Sequence, residues 1–303
     1  MTHHLAPGVW GVVATPFTGP SLDVDEASLA RLVRHYADLG TSGLTVLGVF
    51  GEAARLNAAE RRRVLDTVVA AVDLPLVVGV TALSTAPAVE EAEQIRAALG
   101  DRLAALMVQV NSPRPEVACA HLRAVHEATG APIVVQDYPV SSGVRITTPD
   151  LVTVVRELDS AAAVKAEAPP TPAAVAALTE ALDVPVFGGL GGLGLLDELA
   201  AGAAGAMTGF SCPEGLLACV EAYRVGGYEA ARAACLPYLP LVNFEAQAGI
   251  GLAVRKEAIR RRGLIDGSGV RPPAPSMPVA LGPQLDRHLA ATPGALSAGV
   301  VTC

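Results

Sequence analysis

Eight short apolar runs punctuate this chain, and longer stretches of mixed polarity separate them. The runs are GVVATPF (11–17), GLTVLGV (43–49), PLVVGV (75–80), ALMVQV (105–110), PIVVQDY (132–138), AAVKAE (162–167), VPVFGG (184–189) and AMTGF (206–210). Near-continuous apolar strands of this kind are buried on both faces, as in parallel sheets covered by helices. The intervening segments carry helical signals. DEASLARLVRHYADLG (25–40) has an acidic first turn and a glycine stop, and NAAERRRVLDTVVAAV (57–72) opens on Asn57, a good N-cap. Eight strand–helix units within the first 225 residues or so predict a closed (β/α)8 barrel. An open doubly wound sheet is the alternative, because periodicity alone does not distinguish the two.

After the eighth run the alternation ends. GYEAARAACLPYLPLVNFEAQ, GIGLAVRKEAIRRRG and VALGPQLDRHLAA read as helices, with the proline-rich bridge RPPAPSMP (271–278) between the last two. The expected organisation is a barrel over 1–225, a helical region over 226–291 and a tail, 292–303, too small and unpatterned to pack.

Composition narrows the function classes. Net charge is -8, so no chain-wide basic field draws nucleic acid, and the most basic stretch, RKEAIRRRG (255–263), reads as the polar face of a helix. Charges interrupt every apolar run before it is long enough to cross a membrane. The N-terminus lacks a basic region followed by an apolar one, so no secretory signal is expected. The five cysteines are odd in number, widely spaced and without a C-x-x-C pair. Neither a disulfide framework nor a zinc site is expected, and a cytoplasmic location fits. The histidines, among them His35, His121 and His126 on helices, show no metal-ligand spacing.

Of 22 lysines and arginines only Lys165 and Lys256 are lysines. Lys165 falls inside the apolar sixth run, at the end of the strand where barrel active sites form. A lysine there is costly unless paired or neutral. Desolvation favours the free amine, the nucleophile that forms an imine with a carbonyl compound. The competing reading is a structural ion pair with Glu167, which shares the strand face two residues on. Lys256, among Arg255, Glu257 and Arg260, reads as a surface residue.

The chain resembles the dihydrodipicolinate synthase/N-acetylneuraminate lyase family of class I aldolases and lyases. ATPF (14–17) matches the family's first strand, and GVFGEAARL (48–56) stands where the family has G-T-T-G-E-x-x-x-L. RPEVACAHLRAV follows the strand-four loop, and AVKAE carries the imine-forming lysine as Lys165. The resemblance implies a barrel with a helical C-terminal region, imine chemistry without a cofactor or metal, and a homo-oligomer, tetramer or dimer. Several family positions differ. Val49 and Phe50 replace the two threonines that hold the substrate carboxylate, and Gln136 replaces the proton-handling tyrosine of strand five. Ser141 stands for an arginine, and Ser112 for the strand-four tyrosine.

Strand parity supplies substitutes. Tyr138 shares a face with Gln136, and Glu167 shares one with Lys165, so these two are the candidate proton carriers. Asp137 points the other way and reads as structural. Glu52 reads as a buried carboxylate serving the scaffold rather than the chemistry. The loop after strand seven holds G-x-G-x-x-G at Gly189, Gly191 and Gly194. It is either an anion site at a helix start or a tight turn. The expected function is a Schiff-base lyase or aldolase acting on a small carbonyl compound. Lys165, Tyr138 and Glu167 are the candidate catalytic residues, and Thr15, Val49, Phe50, Gln136, Gly189 and Gly191 line the substrate. The alternatives are a catalytically lapsed barrel that binds a small ligand or a partner, and a nicotinamide-dependent oxidoreductase using the glycine loop.

Overall fold

A computed structural model describes residues 4–296. Eight parallel strands close into a barrel: β1 (Gly8–Val12), β2 (Gly43–Val46), β3 (Leu76–Val80), β4 (Leu103–Gln109), β5 (Ile133–Asp137), β6 (Ala161–Ala166), β7 (Val186–Gly188) and β8 (Gly205–Thr208). Each strand pairs with its sequence neighbours, and β1 closes the ring against both β2 and β8, with Trp10 opposite Gly43 and Met207. Each run of the sequence supplies one strand, but the first sits earlier than expected. Pro16 has no N–H to continue a ladder. The chain instead turns back on itself, and Phe17–Thr18 pairs antiparallel with Asp23–Val24.

Helices α1 (Glu26–Asp38), α2 (Ala58–Ala71), α3 (Thr85–Leu99), α4 (Pro115–Thr129), α5 (Thr148–Arg156), α6 (Thr171–Ala181), α7 (Leu195–Ala200) and α8 (Pro213–Cys235) follow the successive strands. Their starts obey local rules. Asp25 accepts from the Ser28 amide at 3.0 Å, and Asn57 forms a reciprocal capping box with Glu60. On α1 the stripe Leu29, Leu32, Val33 and Tyr36 packs inward.

Gly227 divides α8: its φ of 69° breaks the helix, and the two halves fold against each other. Cys219 and Cys235 are thereby brought to a Cα separation of 5.3 Å and form a disulfide. This corrects the expectation that the cysteines stay unpaired, because a kink inside one helix leaves no spacing signature. Cys119 and Cys212 are free and buried.

Helices α9 (Leu239–Glu245), α10 (Gly251–Arg261) and α11 (Gly282–Ala291) complete the chain. Thr292 and Ala295 of the expected tail are buried, and residues 297–303 lie outside the described residues. The arginines of 255–263 are largely consumed by internal pairs: Arg260 and Arg261 with Glu257, Arg262 with Glu214. Lys256 is fully buried rather than on the surface, its ammonium 2.9 Å from Glu52.

Candidate active site

The row of residues at one level of the barrel is Gln109, Gln136, Lys165 and Phe187, register partners on β4, β5, β6 and β7. Partners in a parallel ladder share a face, so three polar side chains stand together among apolar strands. All are nearly sealed from solvent, Lys165 at 5% exposure.

One step further toward the C-terminal end stands Glu167. Its Oε2 lies 3.1 Å from Lys165 Nζ and accepts from Gln136 Nε2 at 2.7 Å. Its Oε1 accepts from the Leu190 amide at 3.2 Å. The carboxylate is thus held by a cation, a side-chain amide and a backbone amide. Its main-chain N–H donates to Asp137 O, which ties the ends of β5 and β6. The lysine is therefore paired, as burial demands, and its partner is placed to take a proton from it.

Two consecutive glycines make room for two carboxylates. A side chain at Gly189 would run into Glu167, and one at Gly188 would run into Glu198. Because alternate residues of a strand face opposite ways, Glu167 lies inside the barrel wall and Glu198 behind it. Glu198 is sealed against α6, where Thr171 Oγ1 donates to its Oε1 at 2.5 Å. Burial, with a smaller push from Glu167, raises the Glu198 carboxyl to about 7. Burial and the charge of Glu167 likewise push Asp137 up to about 6.

The remaining candidates spread around the mouth. Tyr138, just past β5, is half-buried, and burial and Glu167 hold its phenol above the usual range. Thr15 Oγ1 donates to Gly51 O at 2.7 Å, so it braces the loop after β2. Val49 stands on the rim, 43% exposed, while Phe50 is buried with its ring over Gly209. In the glycine loop the Gly191 amide donates to Thr208 Oγ1 at 2.7 Å and the Gly192 amide to Gly189 O. With Leu190 committed to Glu167, the amides of residues 190–193 are engaged within the chain. The loop also opens from a closed barrel, where no crevice between diverging strands exists for a dinucleotide.

The chain has relatives among known proteins: the model of the dihydrodipicolinate synthetase family matches residues 6–291. The chain belongs to that family. It is similar to L-2-keto-3-deoxyarabonate dehydratase of Azospirillum brasilense, with 33% identity over 89% of both chains. It is 31% identical to 4-hydroxy-tetrahydrodipicolinate synthase of Methanothrix thermoacetophila over 52% of this chain and 53% of that one. Dihydrodipicolinate synthase of Rhodopseudomonas palustris superposes with a TM-score of 0.86 at 31% identity, covering 96% of this chain and 99% of that one. The protein is an enzyme of this family's lyase class. No helix among the described residues is long and apolar enough to cross a membrane.

The sequence singles out Lys165 but not all of its surroundings. Gln109, Glu198 and Arg255 were not legible as site residues. Gln109 and Glu198 look like ordinary strand and helix positions. Arg255 sits in a run of surface-like charges, and only the packing of α10 over the barrel brings it to the mouth.

Proposed function

We propose that this enzyme is a Schiff-base lyase that removes a β-substituent from a small 2-oxo acid, with dehydration as its reaction. The observation that carries the reading is the contact between Lys165 and Glu167 inside an otherwise apolar barrel wall. Glu167 accepts the ammonium proton, and the free amine attacks the substrate carbonyl. Glu167 gives that proton to the carbinolamine hydroxyl, and loss of water leaves the protonated imine, an electron sink, with the carboxylate free again.

The same carboxylate then faces the carbon next to the imine. It removes a proton there, and the resulting enamine expels the hydroxyl from the following carbon. Glu167 returns the proton to that hydroxyl as it leaves, so one water is lost and the carboxylate is regenerated. Hydrolysis of the imine releases product and Lys165. One carboxyl suffices for both proton transfers, which fits a site where Gln136 stands in place of a tyrosine. Gln136 and the Leu190 amide fix the orientation of that carboxylate. Tyr138 lines the mouth as an additional hydroxyl. The similarity to a 2-keto-3-deoxy sugar acid dehydratase along most of both chains supports this direction over condensation. We further place the enzyme in the cytoplasm as a homo-oligomer, in keeping with its family.

Borohydride reduction in the presence of L-2-keto-3-deoxyarabonate, or of a panel of 2-oxo acids and aldehydes, tests the mechanism. Intact mass and peptide mapping should place the adduct on Lys165, and Lys165→Arg should abolish both adduct and turnover, since a guanidinium forms no imine. Turnover that survives Lys165→Arg would refute the imine mechanism.

A further inference from the structure

We propose that Arg255 is the anion anchor of this site and holds the carboxylate of the 2-oxo acid bound at Lys165. The inference rests on the imine reading above and supplies what that reading lacks, a group to hold the substrate's charge. The strand-two rim offers no hydroxyl, since Val49 and Phe50 occupy it. The glycine-loop amides of residues 190–193 are engaged within the chain.

Arg255 reaches the mouth from α10. Its guanidinium carbon lies 5.8 Å from the centroid of the Phe50 ring, which gives it an apolar platform. The same group packs on Gly191, and its charge is felt by the Tyr138 phenol. Gly191 adjoins Leu190, whose amide binds Glu167, which in turn pairs with Lys165. The cation therefore borders the reacting centre. The replacement of a threonine by Phe50 removes a hydroxyl and in the same stroke seats a charge.

The guanidinium is also underused. Only 18% of the side chain is exposed, yet among the described residues none of its N–H groups makes a hydrogen bond, the buried Nε that faces Glu245 included. Its one ionic neighbour is Glu245, 3.4 Å away and not aligned for a hydrogen bond. Both oxygens of Glu245 are taken by Ser211, one by its hydroxyl and one by its amide. Burial pushes Glu245 up to about 7, so near neutrality it offers less than a full counter-charge. Buried donors without partners are costly, and a carboxylate meeting the planar fork of an arginine satisfies two at once.

The test compares 2-oxobutyrate with its uncharged amide, 2-oxobutyramide, as substrates for borohydride trapping at Lys165. In the unaltered enzyme the acid should half-saturate labelling at a concentration about tenfold or more below the amide. Arg255→Gln should raise the half-saturation for the acid by about tenfold and leave the amide within about twofold. Arg255→Lys, which keeps the charge beside Glu245, should fall between. An acid preference that survives in Arg255→Gln, while Lys165 still labels, would overturn the anchor and leave the imine reading standing. If neither probe labels Lys165, the imine reading fails. Calorimetry with 2-hydroxybutyrate, which forms no imine, then decides the anchor: binding lost in Arg255→Gln supports it, and equal binding by both proteins refutes it.

Discussion

Lys256 Nζ lies 2.9 Å from Glu52 Oε1, and both side chains are wholly shielded from solvent. This pair joins α10 to the loop after β2, so the helix that carries Arg255 is pinned by the residue that follows it. Glu52 also receives the Arg271 amide at 2.9 Å and Arg55 at 3.0 Å, and Lys256 lies over the Phe17 ring at 4.2 Å. Glu52 itself has φ 54°, a left-handed conformation that its partners must hold in place.

Removing one member of a buried pair leaves the other uncompensated, at a cost of about 3–5 kcal/mol. Lys256→Met should fall at the lower end, about 3 kcal/mol, because Glu52 keeps two other donors. The double variant Glu52→Gln/Lys256→Met should recover part of the loss. Denaturant unfolding of the three proteins reads this, and equal stability of Lys256→Met and the unaltered enzyme would contradict it. Borohydride labelling of Lys165 should persist in all three.

Glu167 can be displaced without being mutated. Gly189→Ala reaches it through packing, because a Cβ at this position points at the Glu167 carboxylate. The added methyl occupies the space of the Glu167 side chain. Turnover should fall by about a hundredfold, the lower range for a misplaced general acid–base, while trapping at Lys165 slows, since Glu167 also takes the ammonium proton, yet reaches the same end point. Glu167→Gln should show the same split more strongly. Parallel loss of trapping and turnover in Gly189→Ala would mean that Glu167 acts only on imine formation.

Pyruvate should depend on Arg255 for its binding, because neither Val49 nor Phe50 offers its carboxylate a hydroxyl. The two positions should respond differently to threonine. Val49 is 43% exposed, so Val49→Thr adds a donor at little packing cost and should lower the half-saturation of pyruvate trapping. Phe50→Thr removes a buried ring packed against Gly209 and under Arg255, a loss of about 3 kcal/mol or more on the scale of large-to-small replacements. It should weaken pyruvate binding rather than improve it. Equal gains from both variants would show that the ring has no supporting role.

The barrel was legible because strands buried on both faces leave an uninterrupted apolar signature, and helices between them carry caps and stripes. Lys165 was legible because it breaks that signature, and Glu167 followed from the two-residue period of a strand. Lys256 reads as exposed for a physical reason. Its neighbours are charged, and only the seating of α10 on the loop after β2 decides that one face of a polar helix is interior. The pairing of Cys219 with Cys235 is hidden in the same way, since their approach depends on the left-handed break at Gly227. Arg255 and Glu198 are likewise products of tertiary packing.

Three carboxyls raised by burial set how stability varies with pH. Glu198 and Glu245 move from 4.5 in an exposed setting to about 7 in the fold, and Asp137 moves to about 6. The folded form therefore holds protons that the unfolded chain releases between these values, and stability must fall as pH rises from 4.5 through 7. Each shift from 4.5 to about 7 corresponds to about 3 kcal/mol, fully present below 4.5 and lost above 7. His121, lowered by burial, acts with the opposite sign as pH rises through its unfolded value of 6.5. Glu60 and Glu257, each drawn down to about 2, withdraw stability only below 4.5 and leave this window clear. Glu198→Gln separates the contribution of one carboxyl from the rest, since the amide can still accept from Thr171 and does not titrate. Urea unfolding at about pH 4.5, 6, 7 and 8 should show the unaltered enzyme losing about 3 kcal/mol more than Glu198→Gln across the series. Parallel stability curves for the two proteins would mean that Glu198 ionises in the fold as it does in water.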